Sequence, residues 1–385
     1  MPQFCTSLWV VHFSIVRSVT AIMPSLPVTF FYPYPDELTA LSALELDDHL
    51  FWSHEGRERR RAWILQTYLR LRGAGHPVSI SATLPDRGLL VLLLEPDVRA
   101  AFNDQYGRAH RHLLLVTVRA DVTEYRSLIG DADIVQNGRF ADEERVFFVP
   151  HWPQPGLRPR DSRRGSRIEN IVFKGGFGSL LSDFRGDRWH RYLAQRNLSF
   201  HIASAETEGA VPNWHDYRNA DLNLAVRPSY DDGGLRCEKP ASKLVNAWLA
   251  GVPSLLGAEY AFRELRTSSL DYLEVTTVAE AIDAVESLRA HPRLYTRMIE
   301  HGRRRAQAFT PARVTDRWAE VLFDRVPRMA SRPVTRWSRA LPLSLRSGVN
   351  FFLPPPAPYE LRKRLGRGIR HAGARLRGAS GPPPR

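Results

Sequence analysis

Cysteine is nearly absent. Cys5 and Cys237 are the only two in 385 residues, which excludes a disulfide-stapled scaffold and makes a reducing cytoplasm the expected compartment. The first apolar run, SLWVVHFSIV, is ten residues long, far short of the roughly 20 that a membrane-spanning helix needs. No Lys or Arg precedes that run and no small-residue cleavage site follows it, so a secretory signal is not expected and residues 1–23 read as an extension ahead of a start at Met23. The signatures HExxH, CxxC, GxSxG and the Walker loop are all missing, and the 13 His are scattered without ligand spacing. A metal site and a cofactor are therefore not expected. Acidic residues are scarce in one region only. Residues 326–385 hold 13 Lys or Arg against the single acid Glu360, a net of +12 within a total of +13. The first 325 residues are thus close to neutral, and a nucleic-acid-binding body is not expected.

What is present is alternation. The segments VTFFYPY, HPVSISAT, GLLVLLLE, HLLLVTVRAD, DADIVQN and RVFFVP predict strands over residues 24–150, with a basic amphipathic helix from Glu58 to Arg72. Continuous apolar strands separated by helices imply a parallel sheet covered on both faces. The stretch VPHWPQPGLRPRD is too rich in Pro and Gly for a regular element and marks a hinge over residues 151–165. His151 and Gln154 of that hinge are placed to face a ligand between two domains; alternatively His151 and Trp152 pack the seam. Residues 166–325 repeat the rhythm with IENIVFKGG, a helix from Asp187 to Arg196, LSFHIAS, a helix around Trp214 to Arg218, ADLNLAVRPS, VPSLLG and LDYLEVTT. Thr277 and Glu280 then form a capping box ahead of a helix carrying Val278, Ile282, Val285 and Leu288.

The most informative stretch runs from Arg227 to Gly257: RPSYDDGGLRCEKPASKLVNAWLAGVPSLLG. Pro240 suits a first helical position and Gly251 a C-terminal stop. Leu244, Val245, Trp248 and Leu249 make the predicted buried stripe, which sets Lys239, Lys243 and Asn246 on the other face. Two cations in a first helical turn oppose the helix dipole, and a bound anion would reconcile them. Lys174, Gly175 and Gly176, in the loop FKGGFGS after a strand, supply a charge and a backbone able to approach a phosphate, although Gly-Gly is also common in plain tight turns.

These residues resemble the nucleotide-sugar half of GT-B glycosyltransferases, whose pattern is P-S-x-x-E-G-F-G-x-x-x-x-E-A-x-A-x-G-x-P. Pro228 and Ser229 open the segment here; Ala247, Ala250, Gly251, Val252 and Pro253 close it. Glu238 falls where the family has its first Glu and Asn246 where it has its second, with six extra residues between Ser229 and Glu238. The resemblance implies two Rossmann-like doubly wound α/β domains facing a cleft, with Phe309 to Phe323 crossing back to the first. It implies transfer of a hexose from a nucleoside-diphosphate sugar to a glycan or lipid-linked acceptor, without a metal and with retention of configuration. In that reading Glu238 is a catalytic carboxylate beside the donor sugar and His151 faces the reaction. Lys174, Lys239, Lys243 and Arg227 hold the diphosphate with Gly175 and Gly176, and Asn246 stands at the ribose without the charge that a Glu would bring. A cell-envelope polysaccharide pathway follows from the resemblance alone. Asp131, Ala132 and Asp133 spell DxD, the metal motif of the other large glycosyltransferase fold, but stand before a strand and read as loop or cap residues.

Residues 326–385 are expected to be a Pro/Arg-rich tail. Leu361, Leu365, Ile369, Ala372 and Leu376 recur at helical spacing among basic residues, the pattern of a helix lying on an anionic membrane surface at the inner face of the plasma membrane; a disordered solubilising tail is the alternative. Three other functions remain open at this point: a GT-B nucleotide-sugar 2-epimerase, a non-catalytic nucleotide-binding relative, and a nucleic-acid binder acting through the tail.

Overall fold

The computed structural model describes residues 26–40, 46, 58–120, 127, 129–204, 213–228, 239–332 and 341–346. Glu238, the extension 1–23 and the predicted amphipathic helix of the tail lie outside the described residues. The first domain is a six-stranded parallel sheet in the order β2-β1-β3-β4-β5-β6. Its strands are β1 (Val28–Phe31), β2 (Val78–Ser81), β3 (Leu89–Leu93), β4 (Leu114–Val118), β5 (Ala132–Val135) and β6 (Val146–Phe148). LLVLL and LLVTV are buried along their whole length, as continuous apolar runs in a parallel sheet should be. Helices α1 (Pro35–Thr39), α2 (Glu58–Arg60, continuing through a π-helical turn Arg61–Leu65 into Gln66–Gly73) and α3 (Pro96–Gln105) cover it.

The second domain is a five-stranded parallel sheet in the order β11-β10-β9-β7-β8. It comprises β7 (Asn170–Lys174), β8 (Ser199–Ala203), β9 (Leu222–Ala225), β10 (Ser254–Leu256) and β11 (Leu273–Glu274), with helices α4 (Asp187–Arg196), α5 (Ser242–Ala250), α6 (Tyr260–Leu265), α7 (Val278–Ala290) and α8 (Pro292–Ala306). The doubly wound α/β class expected from the sequence is what the two sheets show. Thr277 caps α7 by accepting from the Glu280 amide at 3.2 Å, while the Glu280 carboxylate returns to the amide of Thr276 at 2.7 Å. No helix forms at Trp214 to Arg218; that segment is a set of turns.

Strand order fixes where a ligand sits. In each sheet the winding reverses between two neighbouring strands, β1 and β3 in the first and β7 and β9 in the second, and the crevice outside the carboxyl ends of such a pair is the ligand position of open α/β sheets. The two crevices face each other because the chain returns: after α8, helices α9 (Pro311–Glu320) and α10 (Val326–Ala330), joined through a π-helical turn Val321–Arg325, pack on the first sheet. Val314, Trp318, Val321, Leu322, Val326 and Met329 belong to the same buried cluster as Trp63, Val91 and Val116. The return expected of Phe309 to Phe323 is made from Pro311 onward, while Phe309 itself stays in the second core. Val326, Met329 and Ala330, expected as tail, are buried in the first core as well. Trp318 approaches Trp63 edge-on at 6.4 Å, and a buried ring of that size contributes on the order of 2–3 kcal/mol by leaving water. Further on, the fully buried Arg346 pairs with Asp131 at 3.3 Å. Asp131 stands in the bend before β5, a loop residue as read from the sequence but buried, and also accepts from the Leu115 amide at 2.8 Å; Asp133 instead lies within β5, paired with Arg119 at 3.5 Å.

The hinge is stitched to both sides. Trp152 is buried in the first core and donates its indole N–H to Thr67 Oγ1 at 2.8 Å. Beyond it, the Arg158 and Asp161 amides donate to the His215 and Arg218 carbonyls, and the Arg160 amide to that of Ala250. Among the described residues no helix is long and apolar enough to cross a membrane.

Candidate active site

A cavity of about 420 Å³ lies between the domains where the two crevices meet. Its second-domain wall is Lys174, Gly175, Gly176, Ser179, Trp214, Tyr217, Arg227, Lys239, Pro240, Ser242, Lys243 and Asn246; its first-domain wall is Arg59, Ala62, Trp63 and Gln66 of α2, with His151, Gln154 and Pro155 of the hinge between them. Eight of the nine residues proposed from sequence line it, and the ninth, Glu238, is outside the described residues. No carboxylate stands among the described lining residues, so the walls present a concentration of positive charge.

The helix α5 begins two residues later than Pro240 implied. Ala241 is its N-cap, with no side chain capping it and no acid in the first turn, although Ala is among the poorest N-cap residues. The Leu244 and Val245 amides both turn back to the Ala241 carbonyl at 3.0 Å, while the Ser242 and Lys243 amides precede the intrahelical ladder at the cavity rim. A helix end built this way carries partial positive charge toward whatever occupies the cavity. Leu244, Val245 and Trp248 are buried as expected, Trp248 donating to the Asp271 carbonyl at 3.0 Å, and Gly251 ends the helix in the left-handed conformation at φ 70°.

Gly175 shows why the loop after β7 holds glycine. Its φ is +150°, and a Cβ built there would lie 2.9 Å from Lys243 Nζ and 3.4 Å from the Phe173 ring. The ammonium of α5 and the backbone of the β7 loop therefore meet at one point, from which both can address the same anion. Gly175→Ala is expected to push the flexible Lys243 side chain aside. Stability would fall by about 1 kcal/mol, the cost of a side chain in a glycine conformation, and nucleotide affinity several-fold, read by calorimetric titration. Arg227 is fixed differently: its Nε lies 3.0 Å from the buried Glu259 carboxylate and its Nη1 donates to Ser179 Oγ at 3.1 Å. That pairing orients the guanidinium and offsets part of its charge.

Two assignments change. Lys174 is 8% exposed and its ammonium donates to the Asn213 carbonyl at 2.6 Å, 4.9 Å from the centre of the Tyr217 ring; burial pushes its pKa down to about 8. The side chain is committed to a protein carbonyl, not held out to a phosphate. Asn246 is buried, contrary to the open face expected for it, and its Oδ1 accepts from the Gln154 amide at 3.0 Å. It ties the donor-side helix to the hinge, a role that needs an acceptor and no charge.

His151 and Trp152 divide the two roles that the sequence left open. Trp152 packs in the first-domain core, while His151 lines the cavity with its ring edge-on to Trp63 at 5.1 Å. Its Nδ1 lies 2.6 Å from the Trp152 carbonyl; a carbonyl only accepts, so Nδ1 carries the proton, and in the neutral ring the lone pair is on Nε2. Across the cavity the run Arg59-Arg60-Arg61 sits at the first-sheet crevice, each guanidinium directed to an acid: Arg59 to Glu95 at 2.6 Å, Arg60 to Asp97 at 3.3 Å and Arg61 to Glu37 at 2.9 Å. The two walls are joined beside the cavity. Glu264 of α6 accepts from the Gly138 and Arg139 amides at 3.1 and 3.3 Å, and Asn137 Nδ2 donates to the Lys239 carbonyl at 3.3 Å. Burial raises the Glu264 pKa, and the two amides oppose that rise.

Two doubly wound parallel sheets set crevice to crevice define the architecture. This is the GT-B arrangement. No family model matches the sequence, and no curated protein does. Among solved structures the chain is similar to Anabaena HepE in complex with UDP and glucose (12% identity over 77% of this chain and 99% of that one, TM-score 0.46). It is similar also to sucrose-phosphate synthase from Thermosynechococcus elongatus (12%, 77% and 98%, TM-score 0.48) and to TarM (10%, 67% and 58%, TM-score 0.45). The chain thus spans less than two thirds of TarM's length. The fold assignment rests on the strand orders, and the functional reading on the cavity.

Residues that sequence reasoning passed over include Arg59, Trp63, Gln66, Ser179, Trp214 and Glu259. Arg59 carried a signal, since three consecutive Arg on one helix are excessive for solubility alone. The others become neighbours only through the fold.

Proposed function

We propose that this protein is a glycosyltransferase that takes its sugar from a nucleoside-diphosphate donor. The observation that carries the reading is the convergence, at the β7/β9 crevice, of the uncapped α5 N-terminus, Lys239, Lys243 and the Gly175 backbone in a cavity whose described walls hold no acid. A diphosphate matches that set of donors in charge and in geometry. In the transfer, the bond from the anomeric carbon to the diphosphate oxygen breaks and negative charge grows on the departing group. Lys243, Lys239 and the helix end strengthen their hold as that charge develops, which is how binding becomes catalysis. Arg227, held by Glu259, adds a fixed positive group at the end of β9. His151 Nε2 is suited to accept a proton from, or orient, an acceptor hydroxyl between the two walls. Arg59, Trp63 and Gln66 form the acceptor wall, for a glycan or a lipid-linked acceptor. The basic tail beyond residue 346 would hold the enzyme at an anionic membrane surface.

Asn246 favours a second reading, a binding protein of the same architecture without turnover, because the family position it fills is a carboxylate and its acceptor oxygen is taken by the hinge. The two readings part at turnover. The first experiment is thermal stabilisation of the full chain by UDP, GDP, ADP, CMP and dTDP and their sugars, followed by assay of nucleotide release from whichever sugar stabilises. Selective stabilisation by one nucleotide with release is the expected result. Stabilisation without release would move the assignment to the binding protein, and no stabilisation by any of them would overturn both.

A further inference from the structure

We infer that Lys174 is a positioning residue for the nucleoside end of the donor: its ammonium fastens the segment carrying Trp214 and Tyr217 to the end of β7. The inference rests on the donor-site reading above. Lys174 ends β7, where Ile171 and Phe173 point into the main core, and Val172 packs in a second cluster with Tyr217 and Ala220. Lys174 is thereby aimed at the segment ahead of β9, where the chain runs from Asn213 to Ala220 in turns with no covering helix. What holds that segment is a pair of fastenings around one strand register, Lys174 opposite Ala203. The Lys174 ammonium donates to the Asn213 carbonyl at 2.6 Å. The Ala203 carbonyl, in turn, accepts both the Gly175 amide at 3.0 Å and the Trp214 indole N–H at 2.9 Å. The loop addressed to the diphosphate and the indole at the cavity wall therefore share one acceptor, and the lysine clamps the backbone one residue before that indole.

The chemistry fits this division of labour. An ammonium 8% exposed, hydrogen-bonded to a carbonyl and set 4.9 Å from a buried phenol ring is held by the protein itself. Burial lowers its pKa, and the charge of Asp216 acts against that. Trp214 and Tyr217 line the same cavity as Lys239 and Lys243. A planar base is bound well by an indole face whatever its hydrogen-bonding pattern, and the face is useful only if its backbone is held.

The test separates the two halves of the ligand. Affinities of the full chain for inorganic pyrophosphate and for the nucleoside diphosphate that stabilises it best are compared in wild type, Lys174→Met, Lys174→Arg, Trp214→Leu and Lys243→Ala. Lys174→Met is expected to weaken the nucleoside diphosphate tenfold or more and pyrophosphate less than twofold. Trp214→Leu should do the same, the two losses should not add in the double variant, and Lys174→Arg should recover part of the binding. Lys243→Ala should weaken both ligands. Equal losses of pyrophosphate and nucleotide in Lys174→Met would make Lys174 a phosphate ligand and overturn the inference alone. So would unchanged binding of both. If Lys174→Met does not fold, Trp214→Leu decides: loss of nucleotide with pyrophosphate retained supports the clamp, and retention of both overturns it. A wild-type chain that binds no nucleoside diphosphate would overturn the donor-site reading and the inference together.

Discussion

Lys243→Ala is expected to weaken binding of the nucleoside diphosphate by about 10- to 100-fold, the range of a lost charge-assisted hydrogen bond to an anion, while leaving the unfolding temperature unchanged or slightly raised. The second half of that statement discriminates. Lys243 lies in the first turn of α5, where a cation opposes the helix dipole and where Ala has the better helix propensity. Its ammonium lies beside Gly175, 5.6 Å from the Phe173 ring. A residue placed there for stability should destabilise when truncated; a residue placed there for a ligand should destabilise only the complex. Titration of nucleotide into both proteins, beside their unfolding curves without ligand, reads the two effects separately. The affinity of the wild type should also fall as salt is raised, since screening weakens every contact the cavity makes to an anion. A Lys243→Ala protein that loses several degrees of stability and no affinity would place the diphosphate elsewhere.

The parts of this site that were legible in the sequence are those whose physics is local. Gly251 in a left-handed C-cap, the buried stripe of α5, the glycine after β7 and the continuous apolar strands each follow from the residue and its near neighbours. What was not legible shares a cause. Lys174 was assigned to a ligand by its place after a strand and Asn246 by the family pattern, and neither signal shows that both also have protein partners, the Asn213 carbonyl and the Gln154 amide, 39 and 92 residues away. Helical spacing places a side chain on a face; it does not say what covers that face. Asp133 reads as a loop or cap acid from its place before a strand and is instead a buried strand residue, because Thr117 on β4 and Arg119 just after it meet it across the sheet. Trp214 was taken for a helix residue, and the carbonyl of Ala203 that holds its indole is what defines its turn. The first-domain wall was least legible, since Arg59, Trp63 and Gln66 become cavity residues only when α9 and α10 bring the second domain's chain back onto the first.

That return, and the cavity with it, depends on how the chain leaves the hinge, and here the largest loss of stability is expected. Asp221, fully buried immediately before β9, accepts from Arg160 at 2.8 and 3.2 Å, from Arg164 at 2.7 and 2.8 Å, and from the Glu169 and Asn170 amides at 2.9 Å each. One carboxylate thus fixes the last residues of the hinge and the first of β7. Asp221→Ala would leave two guanidinium groups and two amides without their acceptor, one of those arginines almost wholly buried. Removing one partner of a buried charge network costs about 3–5 kcal/mol, against a total stability of roughly 5–15 kcal/mol for a folded domain. Urea unfolding should show the second domain's transition move to clearly lower denaturant. Asp221→Asn, which keeps the volume and part of the hydrogen bonding, should fall between wild type and Asp221→Ala. Acid supplies an independent check. Burial alone would raise the Asp221 pKa, but the bonds from Arg164, the two amides and Arg160 outweigh it and hold the group below its ordinary value of 3.8. A carboxylate whose folded pKa is depressed stabilises the fold fully above its unfolded pKa and loses that contribution as pH falls through the folded one. The gap in unfolding temperature between wild type and Asp221→Asn should therefore stay constant from pH 8 down to about pH 5 and narrow below about pH 4. A gap that widened on acidification would mean that the folded carboxylate's pKa lies above its unfolded value, and that burial outweighs the arginines and amides around it.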